Sequence, residues 1–415
     1  MSLVNVAVVA LLAVAGPLLS RSTRWTAAVP VIVLEILIGL AAGPHGLGWF
    51  SIDAPVDTLA LLGVSFLFFL AGLEIDLRHL RGRLLARSSS AYVVGLGLAV
   101  GGAIGLHAAG LLEDPLLVAV AFSATGLGLV IPILRDAHLL RTSGGALVVA
   151  MASVAEFAAV VVLAVGFSAG GSPTTDVILL LALAALAVGV TVAGERIRRR
   201  SAVTKLVDRL SGGTVQLRVR LSVALVVGFA ALADAGGLEV VLGAFFAGGI
   251  LNVLDGDGMS TPALRDRLDG IGYGFLVPFF FVVSGARLDF SALELWPDAL
   301  LLVPLLLILL LVARGAPALL LSRRDAATVG VGLLCATSLP VIVTAAQIGV
   351  ASGQLGPSTA AAMTTAGLVG VCVFPPPAVA LLRRSGSVEP GGQLGTGRDV
   401  ELREDAVQVR PDRSG

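Results

Sequence analysis

Residues Gly145–Phe167 read GALVVAMASVAEFAAVVVLAVGF, an apolar run long enough to cross a bilayer with one charged residue inside it, Glu156. At 1.5 Å per helical residue, Glu156 lies roughly 16 Å from Gly145, about the middle of a ~30 Å hydrocarbon core. A charge at that depth costs about 2.5–3.5 kcal/mol on the insertion scale, so such residues pair, face water or hold an ion. Two readings therefore stand side by side. Glu156 is either a paired carboxylate holding helices together or the centre of an ion-handling site.

The composition around that run supports a membrane setting. The 415 residues are 56% hydrophobic and 13% charged, with a mean hydropathy of +0.97. That is the profile of an all-α polytopic membrane protein, and the 51 glycines and 19 prolines suit membrane helices. The apolar runs are continuous rather than alternating, which excludes an outer-membrane barrel. A net charge of zero gives no case for nucleic acid as a partner. Cys335 and Cys372 both fall inside apolar runs, so neither a disulfide framework nor a metal cluster is expected, and no resident cofactor. The first run, Leu3–Leu19, lacks a basic leading segment and reads as a retained span rather than a signal peptide.

Thirteen spans are expected: Leu3–Leu19, Ala28–Ala42, Thr58–Leu73, Ser90–Leu112, Pro115–Leu134, Gly145–Phe167, Asp176–Ala193, Leu221–Ala235, Leu238–Leu254, Ile271–Ala286, Ala299–Leu321, Ala326–Gly349 and Thr359–Leu382. Residues 1–382 then form the membrane domain. Residues 383–415 form a polar tail expected to be disordered. Of the 28 Lys and Arg, 26 follow odd-numbered spans, leaving only Arg287 and Arg314. By the positive-inside rule the N-terminus is expected outside and the tail in the cytoplasm.

An internal repeat relates the two halves. Leu34–Gly43 (LEILIGLAAG) matches Leu238–Gly248 (LEVVLGAFFAG), and Phe69–Leu77 (FLAGLEIDL) matches Val282–Phe290 (VVSGARLDF). Ala124–Gly128 (ATGLG) matches Ala336–Pro340 (ATSLP), the three offsets being 204, 213 and 212 residues. Each match is separated by an odd number of spans, so the copies lie upside down relative to each other. Inverted repeats of this kind are characteristic of secondary transporters, which bind substrate near the midplane.

The repeat also aligns the two weakest stretches of helix. Thr125, Gly126 and Gly128 interrupt span 5, and Thr337, Ser338 and Pro340 interrupt span 12. Both threonines lie about 15 Å deep, level with Glu156. Two interrupted helices crossing there would present hydroxyls, free carbonyls and half-helix termini around the carboxylate, a usual way to hold Na⁺, K⁺ or H⁺. The alternative is ordinary Gly/Pro kinking and small-residue packing. Arg314 in span 11 sits about 6 Å from the level of Glu156 and either pairs with it or snorkels to the cytoplasmic surface. If paired, an incoming cation would release Arg314, and its departure would restore the pair.

Weaker candidates are Glu35 and Glu239, repeat equivalents near span starts, and His107 near the end of span 4. Asp76 and Asp289 are equivalent residues at span ends, and Arg287 beside Asp289 reads as a surface pair. No nucleophile elbow, phosphate-cradling loop or metalloprotease motif is present, so an enzyme is not indicated.

Taken together, LEILIGLAAGP (34–44), FLFFLAGLEIDL (66–77), FSATGLGLVIPIL (122–134), LGAFFAGGIL (242–251), VPFFFVVSGARLDF (277–290) and ATSLPVIVTAAQIG (336–349) resemble the monovalent cation:proton antiporter-2 family over nearly all of residues 1–382. The resemblance implies a homodimeric plasma-membrane exchanger of a monovalent cation for H⁺, in the bacterial sodium/proton antiporter fold. Spans 4–6 and 11–13 would form the moving core of an elevator, spans 1–3 and 8–10 the dimerisation part, and span 7 a linker. The family's adjacent acids in the sixth span fall on Ala155 and Glu156, and its basic residue in the eleventh falls on Arg314. Loss of the first acid points towards one-for-one exchange. A gated potassium efflux system with a separate cytosolic subunit, or a transport-inactive paralogue, are the alternatives; the short tail offers no Gly-Xaa-Gly-Xaa-Xaa-Gly unit of its own.

Overall fold

The computed structural model describes residues 2–22, 30–74, 82–167, 173–198, 216–255, 262–288, 297–321 and 326–386. Within them the chain is helical, with no strand among the described residues. The helices are α1 (Ser2–Ser22), α2 (Val31–Ala42), α3 (Ala54–Glu74), α4 (Gly82–Ala108), α5 (Pro115–Ser123), α6 (Leu127–Asp136), α7 (Ser143–Gly166), α8 (Pro173–Arg198) and α9 (Leu217–Ala235). After them come α10 (Val240–Asp255), α11 (Pro262–Ile271), α12 (Val277–Ala286), α13 (Pro297–Leu321), α14 (Ala326–Cys335), α15 (Pro340–Ala351), α16 (Pro357–Val373) and α17 (Pro375–Gly386).

Among the described residues, ten stretches are long and apolar enough to cross a membrane, and two shorter apolar helices lie at Val31–Ala42 and Val240–Leu254. With the 19-residue α9, whose first turn carries Arg218 and Arg220, they make up the thirteen spans read from the sequence. Span 5 is built from α5 and α6, and span 12 from α14 and α15, each broken at the expected Thr-bearing stretch.

Several ends differ from expectation. Span 10 begins earlier, at Leu264, because α11 and α12 are joined into one 23-residue stretch by a π-helical turn, Gly272–Leu276. Its charged first turns had masked that start. Span 13 is two helices, α16 and α17, divided at Phe374 just before Pro375–Pro377. A proline run cannot donate to the preceding turn, so the helix must restart there. The expected tail is helical as far as Gly386; residues 387–415, Asp76, Asp289 and most of the basic connector between α8 and α9 lie outside the described residues.

The inverted repeat is visible in the packing. Helix α3 packs along α10, and α2 packs along α12, the repeat-related exchange of partners. Both contacts are made through glycine. A Cβ on Gly72 would lie 2.2 Å from the Phe245 carbonyl oxygen of α10, and one on its repeat equivalent Gly285 would lie 2.0 Å from the Ile36 oxygen of α2. Lipid provides no hydrophobic drive between helices, so backbone approach through small residues supplies the packing.

Candidate functional site

The break in span 5 has a local cause. Pro115 occupies the first turn of α5, and Asp114 caps it by accepting from Leu116 N and Leu117 N. The helix then stops at Ser123, where Ala124 turns extended (φ −78°, ψ 162°). Gly126 opens α6 with no side-chain cap (φ −73°, ψ 92°). In span 12, Ala336 to Leu339 leave the helix, and Pro340 starts α15.

The two extended segments cross and bond to each other. Gly126 N–H donates to the Thr337 carbonyl at 3.0 Å, and Thr125 Oγ1 donates to the Cys335 carbonyl at 2.6 Å. Crossing this closely requires little bulk: a Cβ on Gly126 would meet Leu129 Cδ1 and Pro340 Cδ at 3.3 Å each. Thr125, Thr337 and Ser338 are all 0% exposed. The Ser338 hydroxyl is buried with no hydrogen-bond partner.

Glu156 meets this crossing from α7. It is 2% exposed, and its Oε2 accepts from Leu127 N–H, the first residue of α6, at 2.6 Å. Its other oxygen has no hydrogen-bond donor among the described residues. Arg314, fully buried on α13, donates from Nε to Thr125 Oγ1 at 2.8 Å and from NH2 to the Met151 carbonyl at 3.4 Å. Its NH1 is buried without a partner.

The direct Glu156–Arg314 pair expected from depth along the sequence is therefore not formed in this conformation. The reason is polarity of the half-helices. Free N–H groups make a helix N-terminus positive, and free carbonyls make a C-terminus negative. Glu156 sits at the N-terminus of α6. Arg314 sits where α5 and α14 end, reaching the Cys335 carbonyl through the Thr125 hydroxyl. Met151, whose carbonyl Arg314 takes, is five residues before Glu156 on α7, roughly 7.5 Å along the axis. Each charge is thus met by helix termini of the opposite sign.

Two cavities flank the crossing. The larger, about 890 Å³, is lined by Glu35, Glu74, Gly128, Arg135, Asp269 and Tyr273 among others. The smaller, about 480 Å³, is lined by His45, Ser284, Arg287, Gln347 and Thr364 among others. Glu156 lines neither. Gly128 is the site residue the larger cavity reaches, and its carbonyl accepts from the Tyr273 hydroxyl at 3.2 Å.

Sequence reasoning missed Tyr273, Glu74 and Gln347. Tyr273 lies in the π turn, a local irregularity common at functional positions but without a clear sequence pattern. Glu74 was visible within the repeat motif, aligned with Arg287, but at a span end it drew no notice. The weaker candidates fall out plainly. Glu35 is 3% exposed, with its Cγ 3.0 Å from where a Cβ on Gly16 would be. Glu239 precedes α10. His107 Nδ1 bonds to the Leu112 carbonyl at 2.7 Å. Arg287 forms an ion pair with Asp57 across helices; its expected partner Asp289 lies outside the described residues.

Two repeat-related broken helices crossing between a buried acid and a buried base define an inverted-repeat membrane carrier. The chain belongs to the transmembrane sodium/hydrogen exchanger family, whose model matches residues 7–380. It is 32% identical to the Bacillus subtilis protein YjbQ over 84% of this chain, which spans 58% of that relative's length. An Enterococcus hirae Na⁺/H⁺ antiporter is 25% identical, covering 76% of this chain and 82% of its own. The solved sodium–proton antiporter MjNhaP1 of Methanocaldococcus jannaschii, 17% identical, shares the fold with a TM-score of 0.55 over 92% of this chain and 97% of that one.

Proposed function

We propose that this chain exchanges a monovalent cation, Na⁺ or K⁺, for H⁺ across the plasma membrane, with Glu156 binding the two ions alternately. One observation carries the reading: a buried carboxylate holds one oxygen on the α6 terminus at 2.6 Å and leaves the other free. The fixed oxygen positions the group, and the free one takes either a proton or a metal ion. The hydroxyl of Ser338 and the carbonyls released by the breaks supply further oxygen ligands of the kind alkali cations accept. Arg314 keeps the carbonyl ends of α5 and α14 neutralised in both states, so the site is never left with an unbalanced charge of its own.

Since Ala155 stands beside Glu156, one carboxylate serves the exchange, which makes it one-for-one and electroneutral. Spans 4–6 and 11–13 carry the site and move as an elevator core against spans 1–3 and 8–10, through which two copies dimerise, with span 7 as the link. The 26 basic residues after odd-numbered spans put the N-terminus outside and the tail in the cytoplasm. The test is dissipation of a preset pH gradient in proteoliposomes on adding Na⁺, K⁺ or Li⁺. A chain that collapses the gradient for none of them is not a cation/H⁺ exchanger.

A further inference from the structure

The repeat that relates the broken helices also relates two polar contacts at their far ends. Glu74 ends α3, and Arg287 follows α12, 213 residues later. Arg135 lies in the last turn of α6, and Gln347 lies in α15, 212 residues later. These are the offsets that align FLAGLEIDL with VVSGARLDF and ATGLG with ATSLP. The four residues are therefore two copies of one juxtaposition, each joining an interface-side helix to the outgoing half of a broken helix.

One copy is closed. Arg287 NH1 donates to Gln347 Oε1 at 3.0 Å, and Gln347 Nε2 donates back to Ser284 Oγ at 3.2 Å. Asp57 at the start of α3 holds Arg287 from behind through an ion pair, and all but Asp57 line the smaller cavity. The other copy is open. Glu74 and Arg135 both line the larger cavity, and Asp269, Arg135, Glu156 and Arg265 all lie within electrostatic reach of Glu74. Yet no ion pair joins Glu74 to Arg135, and Glu74 Oε2 is buried without a partner. A buried carboxylate oxygen left unbonded beside an open cavity is costly unless another state of the molecule satisfies it.

We propose that these are two repeat-related latches. Arg287–Gln347 fastens one end of the carrier in the state seen here, and Glu74–Arg135 fastens the other end in the opposite state. The inference rests on alternating access as proposed above, in which the two cavities cannot both be sealed by the same displacement. The latches differ in chemistry: the closed one joins a charge to a neutral amide, whereas the open one would join opposite charges. Glu74 and Arg135 thus act by positioning the moving helices, not by holding the transported ion.

The experiment uses paired cysteines in the full chain, with Cys335→Ala and Cys372→Ala. One variant carries Arg287→Cys with Gln347→Cys, and another carries Glu74→Cys with Arg135→Cys. A third carries all four, and each is treated in proteoliposomes with a short reducible bis-thiol reagent. Each pair is expected to link and to stop exchange until reduced, and molecules of the third variant to carry one link or the other but never both. Both links in one molecule, or no Glu74–Arg135 link where the Arg287–Gln347 link forms, overturns the proposal. Should the cysteine variants not fold, charge reversal decides. Glu74→Arg alone is expected to lower the rate more than tenfold, and Glu74→Arg with Arg135→Glu to recover most of it; no recovery overturns the latch. Wild-type exchange is measured alongside, and its absence sinks the transport reading instead, whatever the links do.

Discussion

Replacing Thr by Val at two buried positions of this protein is expected to have opposite effects. Thr125 Oγ1 accepts from Arg314 Nε at 2.8 Å and donates to the Cys335 carbonyl at 2.6 Å. Thr125→Val removes both bonds at nearly constant volume. The bond to the guanidinium is worth about 1.5–3 kcal/mol, and the neutral one, by membrane-protein precedent, about 0.6 kcal/mol. Arg314 already has one nitrogen without a partner, so no spare acceptor takes up the loss. A destabilisation of about 2–4 kcal/mol follows, a factor of roughly 30 to 900 in the folding equilibrium. Thr344 is also buried, but its hydroxyl has no partner. Thr344→Val removes an unsatisfied group and is expected to be neutral or stabilising, by up to about 1–3 kcal/mol. Equilibrium unfolding of both variants and of Thr125→Ser in the same mixed micelles is the assay, with Thr125→Ser close to wild type. Equal stability for Thr125→Val and Thr344→Val would refute the assignment of Thr125 as the link between Arg314 and the crossing.

Four further outcomes are expected. Gly39→Ala places a Cβ 1.9 Å from the Val282 carbonyl oxygen, forcing α2 from α12 at a cost of about 1–3 kcal/mol or more; size-exclusion profiles in detergent should show loss of the monodisperse species. Gly97→Ala on α4 meets nothing within 4 Å and should leave the profile unchanged. Under the proposed competition of cation and proton for one carboxylate, the apparent KM for the cation should rise as pH falls, by at most about tenfold per unit, and a KM flat from about pH 6 to 9 contradicts that competition. Exchange should be insensitive to a potassium–valinomycin potential, whereas a rate that follows the potential would require a second titrating group.

The fold was largely legible in the sequence because a lipid-embedded chain repeats its constraints. Apolar runs pointed to thirteen spans, the basic loops alternated in step with that count, and the motif matches then related the two halves. The positions of the breaks were legible for a local reason, since Thr125–Gly128 and Thr337–Pro340 gather the residues that weaken a helix. Depth arithmetic brought Glu156 and Arg314 to nearly one level, but it carries no information on the sign of the nearest half-helix terminus. That sign decides the partners: Leu127 N–H for Glu156, and Thr125 with the Met151 carbonyl for Arg314. Tyr273 and Glu74 were hidden for another reason. Tyr273 bonds to the Gly128 carbonyl across the gap between helices distant in sequence, and Glu74 lines the same cavity, neighbourhoods that no single segment displays.

The most direct measurement is cation-driven dissipation of a pH gradient in proteoliposomes bearing wild type, Glu156→Gln and Glu156→Asp at equal reconstituted density. Gln retains the shape and can still accept from Leu127 N–H, but cannot trade a proton for a metal ion, so exchange should vanish. Asp keeps the carboxylate and should keep exchange at a reduced rate. Exchange by Glu156→Gln at the wild-type rate would contradict the central role given to this carboxylate.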